Sequence, residues 1–179
     1  MHRIVSTITS ISQHLATVLS DPDFYRPESC PHCGVGRPWH HGCYTRKADR
    51  DPGGRRNPIA IPRFLCGRGC GRSCSRLPEC LSPRRWYCWA VQQAVLAMWL
   101  AGASLNACAR AMDAPSRSTM RRWRRWIRDH GERFAFALRS RWPELGRIAD
   151  RQTLWRSLLR TQGLSAVMAW LDEHACAVP

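Results

Sequence analysis

Two cysteine pairs, Cys30-Pro-His-Cys33 and Cys66-Gly-Arg-Gly-Cys70, are separated by 32 residues poor in helix signals. Tetrahedral Zn2+ is satisfied by four thiolate or imidazole ligands, often supplied as two short-spaced pairs. Each pair sits on a tight turn, and Gly34 and Gly71 stand where a glycine helps the chain reverse. The intervening residues offer two strands, one over His40 to Arg46 and one carrying Ile59, Ile61 and Phe64 interleaved with Ala60 and Arg63. Two knuckles and a hairpin around one metal make a zinc ribbon. A unit this small has little core, so metal binding supplies much of its folding free energy.

The ligand set read from the spacing is Cys30, Cys33, Cys66 and Cys70. The second pair has three spacer residues, so Cys74 could replace Cys70, and His32, His40 or His41 could replace a cysteine. Four thiolates close the shell, which makes the Zn2+ structural. Cys43, Cys74, Cys80, Cys88, Cys108 and Cys176 read as small buried hydrophobes. Ten cysteines could also mean a disulfide scaffold, but the N-terminal apolar run is interrupted by Gln13 and His14 and does not read as a signal peptide. A reducing, cytoplasmic setting is expected, where paired cysteines bind metal.

The formal net charge of the 179-residue chain is +15. Residues 1–80 carry 12 basic and 6 acidic side chains, residues 81–142 carry 12 and 3, and residues 143–179 carry 4 and 4. The middle segment is the electrostatic footprint of a polyanionic partner. Of the 28 basic residues 27 are Arg, which suits phosphate and guanine recognition but also follows from codon bias in a GC-rich genome.

Helical patterning comes from three segments beyond the cysteines. Trp86, Trp89, Ala90, Leu96, Trp99 and Leu100 predict a helix ending at Gly102. Ser104 caps a second helix whose inner side carries Leu105, Cys108, Ala109 and Met112; Asp113-Ala114-Pro115 breaks it. Ser116 caps a third, running to about His130 with Gly131 just beyond. At about 100° per residue, Met120, Trp123, Ile127 and Trp126 form one apolar stripe of that helix. Arg121, Arg125, Ser118 and Arg122 lie opposite, flanked by Arg117, Arg124 and Arg128, with no acid between Arg117 and Arg128. This is the order of a helix-turn-helix. Arg117, Ser118, Arg121 and Arg122 are the candidate base contacts, and Arg124, Arg125 and Arg128 the candidate phosphate contacts. A solvated surface helix would normally mix charge signs, so duplex DNA is the expected partner.

The chain resembles the zinc-ribbon and helix-turn-helix front end of bacterial insertion-sequence transposases and their accessory proteins. The resemblance covers about residues 25–128. It is carried by Cys30-Pro-His-Cys33-Gly, Trp39-His-His-Gly-Cys-Tyr-Thr-Arg46, Arg63-Phe-Leu-Cys66, Cys70-Gly-Arg-Ser-Cys-Ser75, Gly102-Ala-Ser-Leu-Asn-Ala-Cys-Ala-Arg110 and Ser116-Arg-Ser-Thr-Met-Arg-Arg-Trp123. A transposase of this kind continues into a ribonuclease-H-like core with three catalytic carboxylates. Here 48 residues follow Gly131, and Glu132, Glu144, Asp150, Asp172 and Glu173 are their acids, so no catalytic activity is expected.

The expectation is therefore a mostly α chain with a small β zinc ribbon. It comprises an N-terminal helix (about 1–20) and lead-in over 1–29, the ribbon over 30–80, the helix-turn-helix over 81–131, and a helical segment over 132–179 broken at Gly163. Its expected function is sequence-directed duplex DNA binding linked to a mobile element, at the nucleoid and without a membrane. The neutral C-terminal helices would serve a homodimer or a transposase partner. Alternatives are an RNA-binding zinc ribbon and a transposition enzyme acting with a separate catalytic subunit.

Overall fold

Ile59 and Ile61, two residues apart, bury one face of a central strand, and Phe64, at odd spacing from them, is buried on the other face in a separate cluster; each is at most 2% exposed. The computed structural model describes residues 3–47, 58–83, 87–112, 115–174 and 178. Within it the central strand, β3 (Ile59–Leu65), pairs antiparallel with β2 (Trp39–Arg46) on one edge and β4 (Ser73–Cys74) on the other. The β2 ladder slips between His40 and Cys43, where Gly42 holds φ at 68°. Two further short strands, β1 (Ile4–Val5) and β5 (Leu77–Pro78), form a parallel pair.

The N-terminal segment corrects the sequence expectation. Its helix, α1 (Ile11–Ser20), begins only after Ser10, whose hydroxyl accepts from the Gln13 N–H at 3.1 Å. Ile4 and Val5 are strand instead, because their backbone pairs with Leu77 and Pro78. His14, which interrupts the apolar pattern, is the fully buried residue of α1, while Leu19 is 87% exposed. A 3-10 turn over Pro22–Tyr25 then buries Tyr25.

The rest of the described chain is helical. α2 (Trp89–Leu100) is apolar apart from Gln92 and Gln93 and contacts all four helices that follow: α3 (Leu105–Ala111), α4 (Arg117–Arg141), α5 (Arg151–Thr161) and α6 (Leu164–Glu173). Its terminal carbonyl at Leu100 accepts from Gln152 Nε2 at 2.8 Å and Arg156 Nε at 2.7 Å. Gln93 bridges the next turn, donating to the Leu159 carbonyl at 3.0 Å and accepting the Leu164 N–H at 2.7 Å. Gly163 makes that break with φ at 80°.

A second correction concerns α4. The sequence stops it near His130 with Gly131 as terminator, yet the helix runs unbroken to Arg141. A Cβ on Gly131 would lie 3.1 Å from Arg151 Cδ and 3.2 Å from Trp155 Nε1. The glycine therefore lets α5 approach, rather than ending the helix. Trp86, the loop-like stretch from Asp49 to Asn57, Asp113-Ala114 and Cys176 lie outside the described residues.

Sheet and helices are tied together. The buried Asp172 carboxylate on α6 accepts the N–H of Ile4 at 2.8 Å and that of Arg3. Trp89 Nε1 donates to the Glu79 carbonyl at 2.7 Å, and Arg46 reaches the Ser82 carbonyl. Among the described residues no helix is long and apolar enough to cross a membrane.

Candidate metal centre and basic helix face

The cysteine pairs converge because each sits on a closed turn. In the first, Gly34 N–H donates to the Cys30 carbonyl at 2.8 Å and Cys30 N–H donates to Gly36 at 2.9 Å. In the second, Gly71 N–H donates to the Cys66 carbonyl at 3.1 Å and Cys66 N–H donates to Arg72 at 3.0 Å. Gly34 and Gly71 hold φ at 72° and 67°, the left-handed region that a β-carbon disfavours.

All four sulfurs, of Cys30, Cys33, Cys66 and Cys70, lie within 4.8 Å of one another. Cys30 Sγ is 3.7 Å from Cys70 Sγ, and Cys33 Sγ is 3.7 Å from Cys66 Sγ. Four sulfurs at the usual Zn–S distance of about 2.3 Å form a tetrahedron with edges of about 3.8 Å, so the residues fit a metal of that kind. The longer second spacer is accommodated by Gly69. A Cβ there would stand 2.9 Å from Cys33 Sγ and 3.1 Å from Cys66 Sγ, so the extra residue passes close to the sulfurs as bare backbone.

The alternative ligands are elsewhere. Cys74 sits in β4 opposite Phe64, and burial pushes its thiol up. His40 packs edge-on against the Phe64 ring, and His32 Nε2 approaches the Ser73 carbonyl at 3.4 Å. Backbone N–H groups of Val35 and Cys70 pull the Cys33 thiol down to about 6, whereas burial pushes Cys66 up to about 11. Protein dipoles thus already favour a thiolate at Cys33, and a cation would draw the remaining protons off.

The other cysteines divide. Cys108 is buried, and Cys74, Cys80 and Cys88 are half-buried. Cys43 is exposed, which overturns its reading as a buried hydrophobe; it lies at the irregularity of edge strand β2, where no layer covers it.

Ser104 caps α3 by accepting the Ala107 N–H at 3.1 Å. The turn between α3 and α4 includes Ser116, whose hydroxyl approaches those of Ser118 and Thr119 instead of capping a backbone N–H. On α4, Met120, Trp123 and Ile127 are at most 2% exposed, and Trp126 is partly buried against Phe134. Arg117, Ser118, Arg121, Arg122, Arg125 and Arg128 are exposed and Arg124 is half-exposed, so the seven residues lie on the outward side. Arg117 Nη1 donates to Asn106 Oδ1 of α3 at 3.0 Å, fixing one helix against the other. Arg128 meets Asp129 at 3.1 Å, an exposed pair worth little. Like charges at i,i+4, as in Arg117–Arg121 and Arg121–Arg125, weaken a helix. This face therefore costs stability. Exposed Arg110 on α3 and Arg133 further along α4 extend the basic surface. A wheel drawn on the third helix alone leaves Arg110 out, and stopping the helix at His130 leaves Arg133 out.

A comparison with protein families matches residues 30–123 to one described as a domain of unknown function, DUF6431. No curated protein and no solved structure matches the chain. The matched stretch holds both cysteine pairs, the three-stranded sheet, α2, α3 and the start of α4, more than half of the sequence, and the chain belongs to the DUF6431 family.

Proposed function

We propose that this chain binds double-stranded DNA in a sequence-directed way, through a helix-turn-helix formed by α3 and α4. The observation that carries the reading is the outward face of α4, where six arginines between Arg117 and Arg128 stand without an acid, opposite a fully buried stripe. Arg117, Ser118, Arg121 and Arg122, on the first two turns, are the proposed base contacts. Arg124, Arg125 and Arg128 are the proposed phosphate contacts. The cysteine cluster is proposed as a structural zinc ribbon that holds the sheet from which α2 departs.

The role proposed is binding without chemistry. Two acids of the C-terminal segment, Asp172 and Asp150, are engaged by backbone N–H groups, and the exposed Glu132 and Glu173 have side-chain partners. Asp172 accepts backbone N–H groups of the N-terminal strand, Asp150 caps α5, Glu132 pairs with Arg151, and Glu173 accepts from Ser6. The resemblance to insertion-sequence proteins supports a place in transposition, as a DNA-binding part or an accessory regulator, with α5 and α6 as the surface for a second copy or a catalytic partner.

The test is binding across a randomised site library, repeated over a salt series. Arg121→Ala should relax preference at one or two base pairs, because a bidentate arginine–guanine contact discriminates by about 1–3 kcal/mol. Arg128→Ala should weaken all sequences alike and reduce the log-log salt slope by about one unit. If both substitutions leave affinity and slope unchanged, α4 is not the reading head.

A further inference from the structure

The sheet module has a charge pattern of its own. Residues 30–47 and 58–78 carry seven Arg or Lys side chains and not one Asp or Glu. A zinc ion in four thiolates contributes a net charge of about −2, which leaves most of that positive charge unmatched. Part of it is structural: Arg46 reaches the Ser82 carbonyl, Arg63 lies over the Tyr44 ring, and Arg76 points to the Ile4 carbonyl. Arg37, Arg68 and Arg72 are exposed on the knuckle side.

An aromatic ring stands among them. Trp39 is 50% exposed, and its Cε3 and Cζ3 atoms lie 3.0 Å from where a Cβ on Gly67 would be. The glycine backbone therefore supports the indole from one side and keeps it from folding inward. Arg68 follows Gly67 directly, and its Cδ lies 3.9 Å from the β-position of Gly36, beside Arg37. Asp21, Asp23 and Glu28 line the same open cleft as Arg37, and Asp23 there is paired with Arg26 at 3.0 Å. A supported, half-exposed indole two residues from Arg37 and packed on the glycine that precedes Arg68 combines the two parts that single-strand binders use, a stacking platform and cations along the backbone. An acidic peptide would match the charge but gives the ring no π-face to stack on.

We propose that this face is a second DNA surface, stacking an unpaired base on Trp39 and seating the flanking phosphates on Arg37 and Arg68. The preferred ligand is then a duplex that continues into a single strand. The duplex half of this proposal rests on the α4 reading; the stacking half does not. Both surfaces belong to one body, since Asp172 holds the Ile4 N–H and Glu79 accepts from Trp89.

The test uses zinc-loaded full chain and three labelled DNAs: a blunt duplex, the same duplex with a tail of about six nucleotides, and the tail strand alone. The tail should tighten binding by about tenfold or more, the size expected of one stacked base. Trp39→Ala should abolish that gain while leaving blunt-duplex affinity unchanged. Because Trp39 sits close to the cysteine turns, zinc content is checked in parallel. Trp39→Phe should retain much of the gain, and the double variant Arg37→Ala/Arg68→Ala should lose it without touching the ring. Arg121→Ala should weaken blunt and tailed duplex equally. Blunt duplex bound with no gain from the tail overturns this inference and leaves the α4 reading standing. Tail bound through Trp39 without any affinity for blunt duplex does the reverse. Equal displacement of the tail by polyglutamate at matched charge also overturns it, in favour of an acidic-peptide surface.

Discussion

Gly69 marks how closely the cysteine cluster is built. Its backbone passes the sulfurs at a distance where a β-carbon would stand 2.9 Å from Cys33 Sγ, 3.1 Å from Cys66 Sγ and 3.2 Å from Val35 Cβ. Gly69→Ala should therefore keep all four thiols yet bind zinc more weakly, because the second turn must open to admit the methyl group. Competition against a graded series of chelators measures this, with Cys33→Ser as the standard for outright loss. Unchanged zinc affinity in Gly69→Ala would mean that the turn has slack which the geometry does not show. At this scale the cysteines were legible because chemistry dictates their type and spacing. The choice between Cys70 and Cys74 was not, since it depends on β4 placing Cys74 opposite Phe64, a long-range pairing that no local spacing encodes. Exposure of Cys43 was hidden for the same reason: a strand's edge position is a property of the sheet.

Among the elements, α4 shows both what periodicity reveals and where it stops. The stripe of Met120, Trp123 and Ile127 was readable because a 3.6-residue repeat needs no tertiary knowledge. The continuation through Phe134, Ala135 and Leu138 was masked by Gly131, whose local signature is that of a helix terminator. Only the position of Trp155 on α5 explains it. Gly131→Ala gains helix propensity of about 1 kcal/mol. Against this, the new methyl group meets Arg151, which can swing away, and Trp155, which is fully buried and cannot. Overpacking of this kind costs about 1–3 kcal/mol, so the expected net effect is destabilisation. A urea denaturation curve decides the sign. A rise in stability would show that α5 shifts freely and that the glycine is not a packing requirement. The same logic accounts for the N-terminus, where Ile4 and Val5 fit a helical repeat by composition but are captured as strand by Leu77 and Pro78.

At the scale of the whole molecule, one carboxylate joins the ends of the chain. Asp172 on α6 accepts backbone N–H groups from Arg3 and Ile4, and Ile4 belongs to the same buried cluster as Trp89 and Leu171. Asp172→Ala removes the acceptor from two N–H groups, each costing about 1–3 kcal/mol when left buried and unpaired. The expected result is earlier unfolding of the N-terminal strand, read as faster hydrogen exchange at Ile4 and Val5 and earlier proteolytic cleavage before α1. Protection unchanged from the wild type would place the hold in the β1–β5 pairing instead.

The joint between α1 and the sheet makes stability depend on pH. His14 is fully buried, its Nε2 lies 2.9 Å from the Ala60 carbonyl on β3, and its Nδ1 lies 2.6 Å from the Tyr25 hydroxyl. The arrangement suits a neutral imidazole that donates from Nε2 and accepts from Tyr25 at Nδ1. Burial lowers its pKa below the ordinary 6.5, the opposing contribution of the Ala60 hydrogen bond being smaller. Below about pH 6.5 the unfolded chain takes up a proton at this residue that the folded chain refuses, so unfolding is favoured. The contribution is thus fully present above about 6.5 and is lost as pH falls towards the depressed folded value, by up to about 1.4 kcal/mol per pH unit. A metal held by the four cysteines would be released as pH falls too, because protonation of the thiolates competes with it. The two are separated by substitution. His14→Asn starts less stable but should lack the imidazole-linked slope between pH 5 and 6.5, while keeping any slope that tracks zinc release. Urea midpoints for both proteins across that window, with bound zinc measured at each pH, test the assignment. Parallel curves would remove His14 as the acid-sensitive joint and leave the thiolates alone responsible.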